Sequence, residues 1–231
     1  TMAQRWELPL LLLWILLLGP LTSQLLISLS DLPPTASLEL GKILLSTLTI
    51  FALPSLFFPI GREARHRLFG LIDQNWLAGG ALLHLLLVSL GSLLLAEVCY
   101  ELFLYVGKLI GYTGGDLVTE RVRQLLRSGA SPFLCLWITL AVVPAISEEL
   151  CFRGMLQPLI TRLLPISSSR HLPWLLTALL FSLLHFSPIG FVSRFILGYA
   201  LSYLTSATGR LYAPILLHLV NNTLALLFLY L

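Results

Sequence analysis

The chain has 231 residues, of which 57% are hydrophobic and 11% charged, with a mean hydropathy of +0.91 and a net charge of +3. A soluble domain carries about 25% charged residues, so this composition excludes a globule wetted on all sides and suits a surface facing lipid. The arginines lie between apolar runs, where they read as topology signals and headgroup contacts; no nucleic-acid partner is expected.

A transmembrane helix needs roughly 20 apolar residues, and the chain is expected to fold as an all-α, polytopic transmembrane bundle. Thr1, ahead of Met2, is set aside. The first apolar run follows Arg5 as in a signal peptide, but it continues to about Leu29 with no small-x-small cleavage site, and is read as a retained span. Pro33 and Pro34 mark a loop. A second span covers Gly41 to Ile60, with a kink expected at Pro54. Gly61 to Asn75 is polar and carries Arg62, Arg65 and Arg67, which argues for a cytoplasmic loop, with the acidic Asp31–Glu39 loop on the other side. The apolar stretch from Trp76 to about Gly111 is either one long helix or two pieces broken near Gly91. Residues 114–131 mix Leu117, Val118, Val122 and Leu125 with Glu120, Arg121, Arg123 and Arg127, the pattern of an amphipathic helix on the membrane surface.

A further span starts at Pro132 and runs past Glu148 to about Leu164, kinked or interrupted at Pro144. Others cover about Leu172 to Phe186, Ile189 to Thr205 and Tyr212 to Leu231. This gives about seven spans, between six and eight, around a central polar cavity. The chain divides into N-terminal helices, 1–131, and a C-terminal core, 132–231, within one membrane domain. Cys99, Cys135 and Cys151 lie in or beside apolar runs without CxxC spacing and read as small buried hydrophobes.

Ionisable groups at membrane depth are expensive and by default mark function. The candidates are Glu97, Glu101, Glu148, Glu149, Arg153, Arg194, His84, His185 and His218. Glu149 and Arg153 are spaced i,i+4 in the favourable order for an ion pair. That pairing leaves Glu148, about 100° away on the helix, free to act as a general base; a purely structural charge network is the alternative. Phe181 lies one turn before His185, and His218 one turn before Asn222, so each pair shares a helix face. His218 and Asn222 together could aim two donors at an oxyanion. Glu97 and Glu101 are candidates to line the cavity or pair with Arg194. His66 and His171 read as plain loop residues, His84 as packed. Trp76, Trp174 and Tyr212 read as interfacial anchors.

Three motifs then carry a resemblance. Glu148-Glu149-Leu150-Cys151-Phe152-Arg153 resembles the EExxxR motif of the CPBP family, the CAAX proteases and bacteriocin-processing enzymes also called Abi. Phe181 to His185 resembles its FxxxH motif, and His218 to Asn222 its HxxxN motif. Gly198 to Leu201, Thr208 to Leu211 and Ala213 to Ile215 are similar to the family's approach to the last motif. The resemblance covers about Pro132 to Leu231.

It implies an intramembrane endopeptidase acting on a membrane-associated protein or peptide, with no cofactor or metal. Glu148 and His185 would activate water, His218 and Asn222 would hold the oxyanion, and Glu149, Arg153 and Phe181 would support them. A bacterial plasma membrane is the expected location. A zinc protease built on Glu148, Glu149, His185 and His218 is an alternative, although no HExxH is present. Gly114-Gly115-Asp116 resembles the GxGD of aspartyl enzymes, but Asp31, Asp73 and Asp116 all lie in polar stretches. A non-catalytic binding or immunity protein, or a small transporter, stays open; no repeated halves favour the transporter.

Overall fold

The computed structural model describes residues 2–29, 36–69, 79–112, 114–129, 132–165 and 169–231. Among them the chain is all-helical, with no strand. In chain order the helices are α1 (Trp6–Ser28), α2 (Leu38–Phe57), α3 (Pro59–Phe69), α4 (Gly79–Leu109), α5 (Leu117–Arg127), α6 (Phe133–Leu163), α7 (His171–Leu183), α8 (Phe191–Thr208) and α9 (Tyr212–Tyr230). Five of them, α1, α2, α4, α6 and α9, are long and apolar enough to cross a membrane. Their leucines face outward in large numbers, as lipid contact requires. The protein is an integral membrane helix bundle.

Five such helices stand where seven spans were expected. At 13 residues α7 is only about 20 Å long, short of a hydrocarbon core of about 30 Å. The long apolar stretch is one 31-residue helix with no break at Gly91. The basic segment is a helix rather than a loop: α3 carries Arg62, Arg65, His66 and Arg67, and Phe58 in an extended conformation supplies the turn before it. Glu39 sits in the first turn of α2, bonded to Lys42 at 2.7 Å, and not in a loop. Asp31, Pro33, Pro34, Asp73, Trp76 and Ser131 lie outside the described residues.

Prolines bend these helices without ending them. A proline inside a helix gives no N–H and its ring crowds the carbonyl four residues back. A π turn widens the ladder at that carbonyl. Each π turn among the described residues ends two residues before a proline: Trp14–Leu18 before Pro20, Leu48–Ala52 before Pro54, Ile138–Val142 before Pro144 and Leu150–Leu156 before Pro158. Helix α6 is therefore continuous through Pro144, and its second π turn holds Cys151, Phe152 and Arg153, all fully or almost fully buried.

The buried surface of that π turn organises the core. Leu11 and Ile15 of α1, Ile60 and Ala64 of α3 and Phe181 of α7 pack around Leu150 to Ile160. A Cβ on Gly154 would stand 2.8 Å from the Ala64 methyl, so the missing side chain sets how closely α3 meets α6. Two polar residues, one turn apart on α6, clamp α8. Arg153 Nη2 donates to the Gly198 carbonyl at 3.0 Å, and Gln157 Nε2 to the Ser202 carbonyl at 3.2 Å. Arg153 Nη1 donates to Glu149 Oε1 at 2.8 Å, with both side chains at 0% exposure.

Contacts at the two ends of the bundle fix the direction of each helix. At one end Glu63 of α3 pairs with Arg162 of α6, and the Leu211 amide donates to the Arg67 carbonyl. At the other end Arg121 of α5 lies 3.8 Å from Glu39 of α2, and Phe133 meets Tyr230. Helix α4 thus crosses once. The strongly amphipathic α5 lies at the second end. Asp116 caps it through the Val118 amide, and also binds Thr119 and Arg194 at 2.9 and 2.6 Å. Burial alone would raise the Asp116 carboxyl, but Arg194 and the hydroxyl donors outweigh it and hold it below the ordinary carboxylate value.

Removing the Arg153 side chain leaves Glu149 buried without its cation, a loss of about 3–5 kcal/mol. Arg153→Ala should lower the unfolding temperature and yield of detergent-purified protein. Wild-type stability with lost activity would instead assign Arg153 to chemistry. The depressed carboxyl of Asp116 gives a second expectation. Its contribution is complete above the unfolded value near 3.8 and is lost as pH falls from there through the lower folded value. Amide hydrogen exchange in α5 should accelerate selectively on acidification through that range, and Asp116→Asn should flatten the response.

Candidate active site

Helix periodicity puts three pairs of these residues on shared faces before packing acts. Glu149 and Arg153, Phe181 and His185, and His218 and Asn222 are each one turn apart. Packing then assembles the pairs. Trp137 Nε1 donates to Thr223 Oγ1 at 2.9 Å, tying α6 to α9 and turning His218 toward α6. His218 is 3% exposed and lies between the two glutamates. Its Nδ1–H donates to Glu149 Oε1 at 2.8 Å, and its Nε2 stands 3.9 Å from Glu148 Oε2. Glu149 Oε1 accepts from both Arg153 and His218. Glu148 is 13% exposed at the side chain, and its Oε2 is buried without a hydrogen-bond partner among the described residues.

The ring of Phe181 is the shared wall. The Arg153 guanidinium lies 4.6 Å above its centre, and the rings of His185 and His218 meet it at 4.9 and 5.6 Å. Gly198 admits this ring, because a Cβ there would fall 3.2 Å from Phe181 Cδ1 and from the Ala178 backbone. His185 follows the last turn of α7. Its Nδ1–H donates to the Phe181 carbonyl at 2.7 Å, which leaves Nε2 with the lone pair. The next residue, Phe186, has φ +49°, a left-handed conformation that a bulky side chain adopts only under constraint. Ser182 Oγ closes the turn on the Phe191 carbonyl at 2.5 Å.

The structure thus joins His218 to both glutamates and places His185 beside it across Phe181. The hydrogen bonds of His185 and Asn222 go elsewhere than Glu148: Asn222 Oδ1 accepts from Asn221 Nδ2 at 3.2 Å, which leaves its own amide N–H groups to donate. Glu97 and Glu101 are exposed on α4, and Arg194 pairs with Asp116 instead of either. Asp116 was overlooked as a partner, although an aspartate just ahead of an amphipathic helix is a capping signal. His84 bonds the Tyr203 hydroxyl at 2.6 Å. His171, the first residue of α7 and not a loop residue, bonds Tyr199 at 2.7 Å and packs on Trp174, which is an inter-helix contact more than a surface anchor. Of the cysteines only Cys151 is buried; Cys99 is half-buried and Cys135 exposed. A cavity of about 880 Å³ opens between α4 and the far side of α8, lined by Val88, Gly91, Trp174, Tyr199 and Tyr203. It contains none of Glu148, His185, His218 or Asn222.

A family model described as Type II CAAX prenyl endopeptidase Rce1-like matches residues 130–224. No curated protein and no solved structure matches the chain. The matched segment begins just before α6 and ends two residues after Asn222, so it contains all three motifs and the buried network that joins them. Over residues 130–224 the chain is therefore similar to the Rce1-like CAAX prenyl endopeptidases.

Proposed function

We propose that the protein is an intramembrane endopeptidase that hydrolyses a membrane-associated protein or peptide with water activated by Glu148 and His185. The observation that carries this reading is His218, bridged between two carboxylates, with Nδ1 bound to Glu149 and Nε2 facing Glu148. The unpartnered Oε2 of Glu148 can take a proton from water as the water oxygen attacks the scissile carbonyl carbon. His185 offers the lone pair of Nε2 to the same water. The proton then passes to the leaving amine as the C–N bond breaks.

The oxyanion would be held by His218 and Asn222. Because Nδ1–H is already given to Glu149, His218 donates through Nε2 only when that nitrogen also carries a proton. Arg153 is the fixed cation beside these groups, held by Glu149 and the Gly198 carbonyl. Residues 132–231 are the catalytic core on this reading, and the helices of 1–131 brace it. The short connections between helices favour a bacterial plasma membrane as its location.

The variants separate the roles. Asn222→Ala should slow cleavage by about 10²–10³ and leave a measurable residue. Glu148→Gln should abolish it, while a binding or immunity protein would tolerate the change in its own assay. Cys151→Ser should keep most activity, which separates this scheme from a thiol nucleophile. Purified protein treated with a strong chelator should still cleave its peptide. Activity lost with the chelator and restored by Zn²⁺ would reassign Glu148, Glu149, His185 and His218 as metal ligands.

A further inference from the structure

The groove of about 880 Å³ lies over α8, between α4 and the start of α7, on the side away from the candidate site. Along α8 its lining runs from Ile196 to Ser206, a depth of about 15 Å, which is half of a hydrocarbon core of about 30 Å. It therefore spans one leaflet, from the end of the bundle that carries Arg170 toward the midplane. One wall is aromatic and held in place. Trp174 meets the rings of His171, Tyr199 and Tyr203 edge-on at 4.9, 5.9 and 5.7 Å, and His171 bonds the Tyr199 hydroxyl. The other wall is the face of α4 that carries Val88, Gly91, Ser92 and Leu95. A glycine inside a long helix is costly, and Gly91 neither breaks α4 nor admits another helix, since a Cβ there would meet no atom within 4 Å. What its missing side chain leaves is groove.

At membrane depth an apolar groove faces acyl chains and not water. Its outer end is polar and positive. Arg170 lines both this groove and a second cavity of about 370 Å³, whose other polar residues are Thr161, Arg162 and Ser169. The Arg170 side chain is exposed and makes no ion pair or hydrogen bond among the described residues. Arg162 gives one nitrogen to Glu63. Arg67 and Arg210 lie at the same end of the bundle, so among the described residues four guanidinia stand there against Glu63 and the buried Glu7. A phosphate is the anion that two guanidinia hold best at a membrane surface, and surplus positive charge there favours lipids of net negative charge.

We propose that the two cavities form one binding site for an anionic phospholipid. Its phosphate sits between Arg162 and Arg170, and one acyl chain lies along the aromatic wall, past Gly91, to Ile196. The lipid fills the gap between α4 and α7 and so is a structural part of the bundle. The site is independent of the peptidase reading, because α8 separates the groove from Glu148, His185, His218 and Asn222.

The test places the full chain in nanodiscs of equimolar palmitoyl-oleoyl phosphatidylglycerol and phosphatidylcholine, releases it into mild detergent and weighs it by native mass spectrometry. One phosphatidylglycerol should stay with the protein, in preference to phosphatidylcholine by about 5–30-fold, as one or two free guanidinia at a membrane surface imply. Arg170→Gln should cut that preference by about 5-fold. Gly91→Trp fills the groove where a new side chain has room to start, and should remove bound lipid of either kind. Leu86→Trp, on the exposed opposite face of α4, should leave the lipid bound. Thermal unfolding checks the structural role: stripping the lipid should lower the midpoint of wild type, and added phosphatidylglycerol should restore it. Equal retention of the two lipids, or a preference unchanged in Arg170→Gln, overturns the proposal. So does lipid held by Gly91→Trp as tightly as by wild type. A lipid-free dimer that Gly91→Trp dissociates would make a second copy the occupant. Displacement of the lipid by a farnesylated peptide would make a prenyl chain the occupant. Either result overturns the proposal.

Discussion

A guanidinium with no access to solvent is the constraint on which the rest depends. Arg153 sits at 0% exposure inside a membrane bundle, where an unpaired charge has no water to turn to. Its partners come from three directions: Glu149 on its own helix, the Gly198 carbonyl on α8 and the face of Phe181 on α7. Satisfying one side chain therefore fixes how three helices meet. The π turn that carries Arg153 has the same origin as the other three among the described residues, a proline two residues beyond its end.

The same arrangement orders the candidate site. Glu149 is shared between Arg153 and His218, so the cation that stabilises the fold also determines which nitrogen of His218 is occupied and which faces Glu148. Phe181 is at once the surface under Arg153, a contact of both histidine rings and the carbonyl that fixes the His185 tautomer. The residues of the proposed site are thus also residues that hold the helices together. A change at Glu149 or Phe181 would disturb packing and the proposed site together, whereas the Glu148 side chain has no hydrogen bond among the described residues and Glu149 is bound by both Arg153 and His218.

Arg194 and Asp116 form a second polar centre where α5 meets the start of α8. They connect the amphipathic helix α5 to the start of α8, which Ser182 ties to the turn before His185. The spacing between that turn and the buried network follows from α8 itself, since Gly190 caps it, Arg194 lies in its first turn and Gly198 is about one turn beyond Arg194. One helix therefore holds both polar centres at a fixed separation.

Much of this was legible in the residues. Composition settled the membrane environment, because 11% charge cannot cover a wetted surface. The i,i+4 spacing of Glu149 and Arg153 forecast their ion pair, since contacts within one helix depend only on its period. The span count was less legible: hydropathy does not distinguish the 13-residue α7 from a full crossing, and the basic segment of α3 looks like a loop until Phe58 turns the chain. Contacts between helices were not legible at all. That His218 would bind Glu149 through Nδ1, that Gly198 would supply a carbonyl to Arg153, and that Arg194 would choose Asp116 over Glu97 or Glu101 depend on helix rotation and depth. The sequence determined which side chains lie on one face of a helix; only the tertiary packing, set by burial of charge and the close approach at glycines, decided which faces meet.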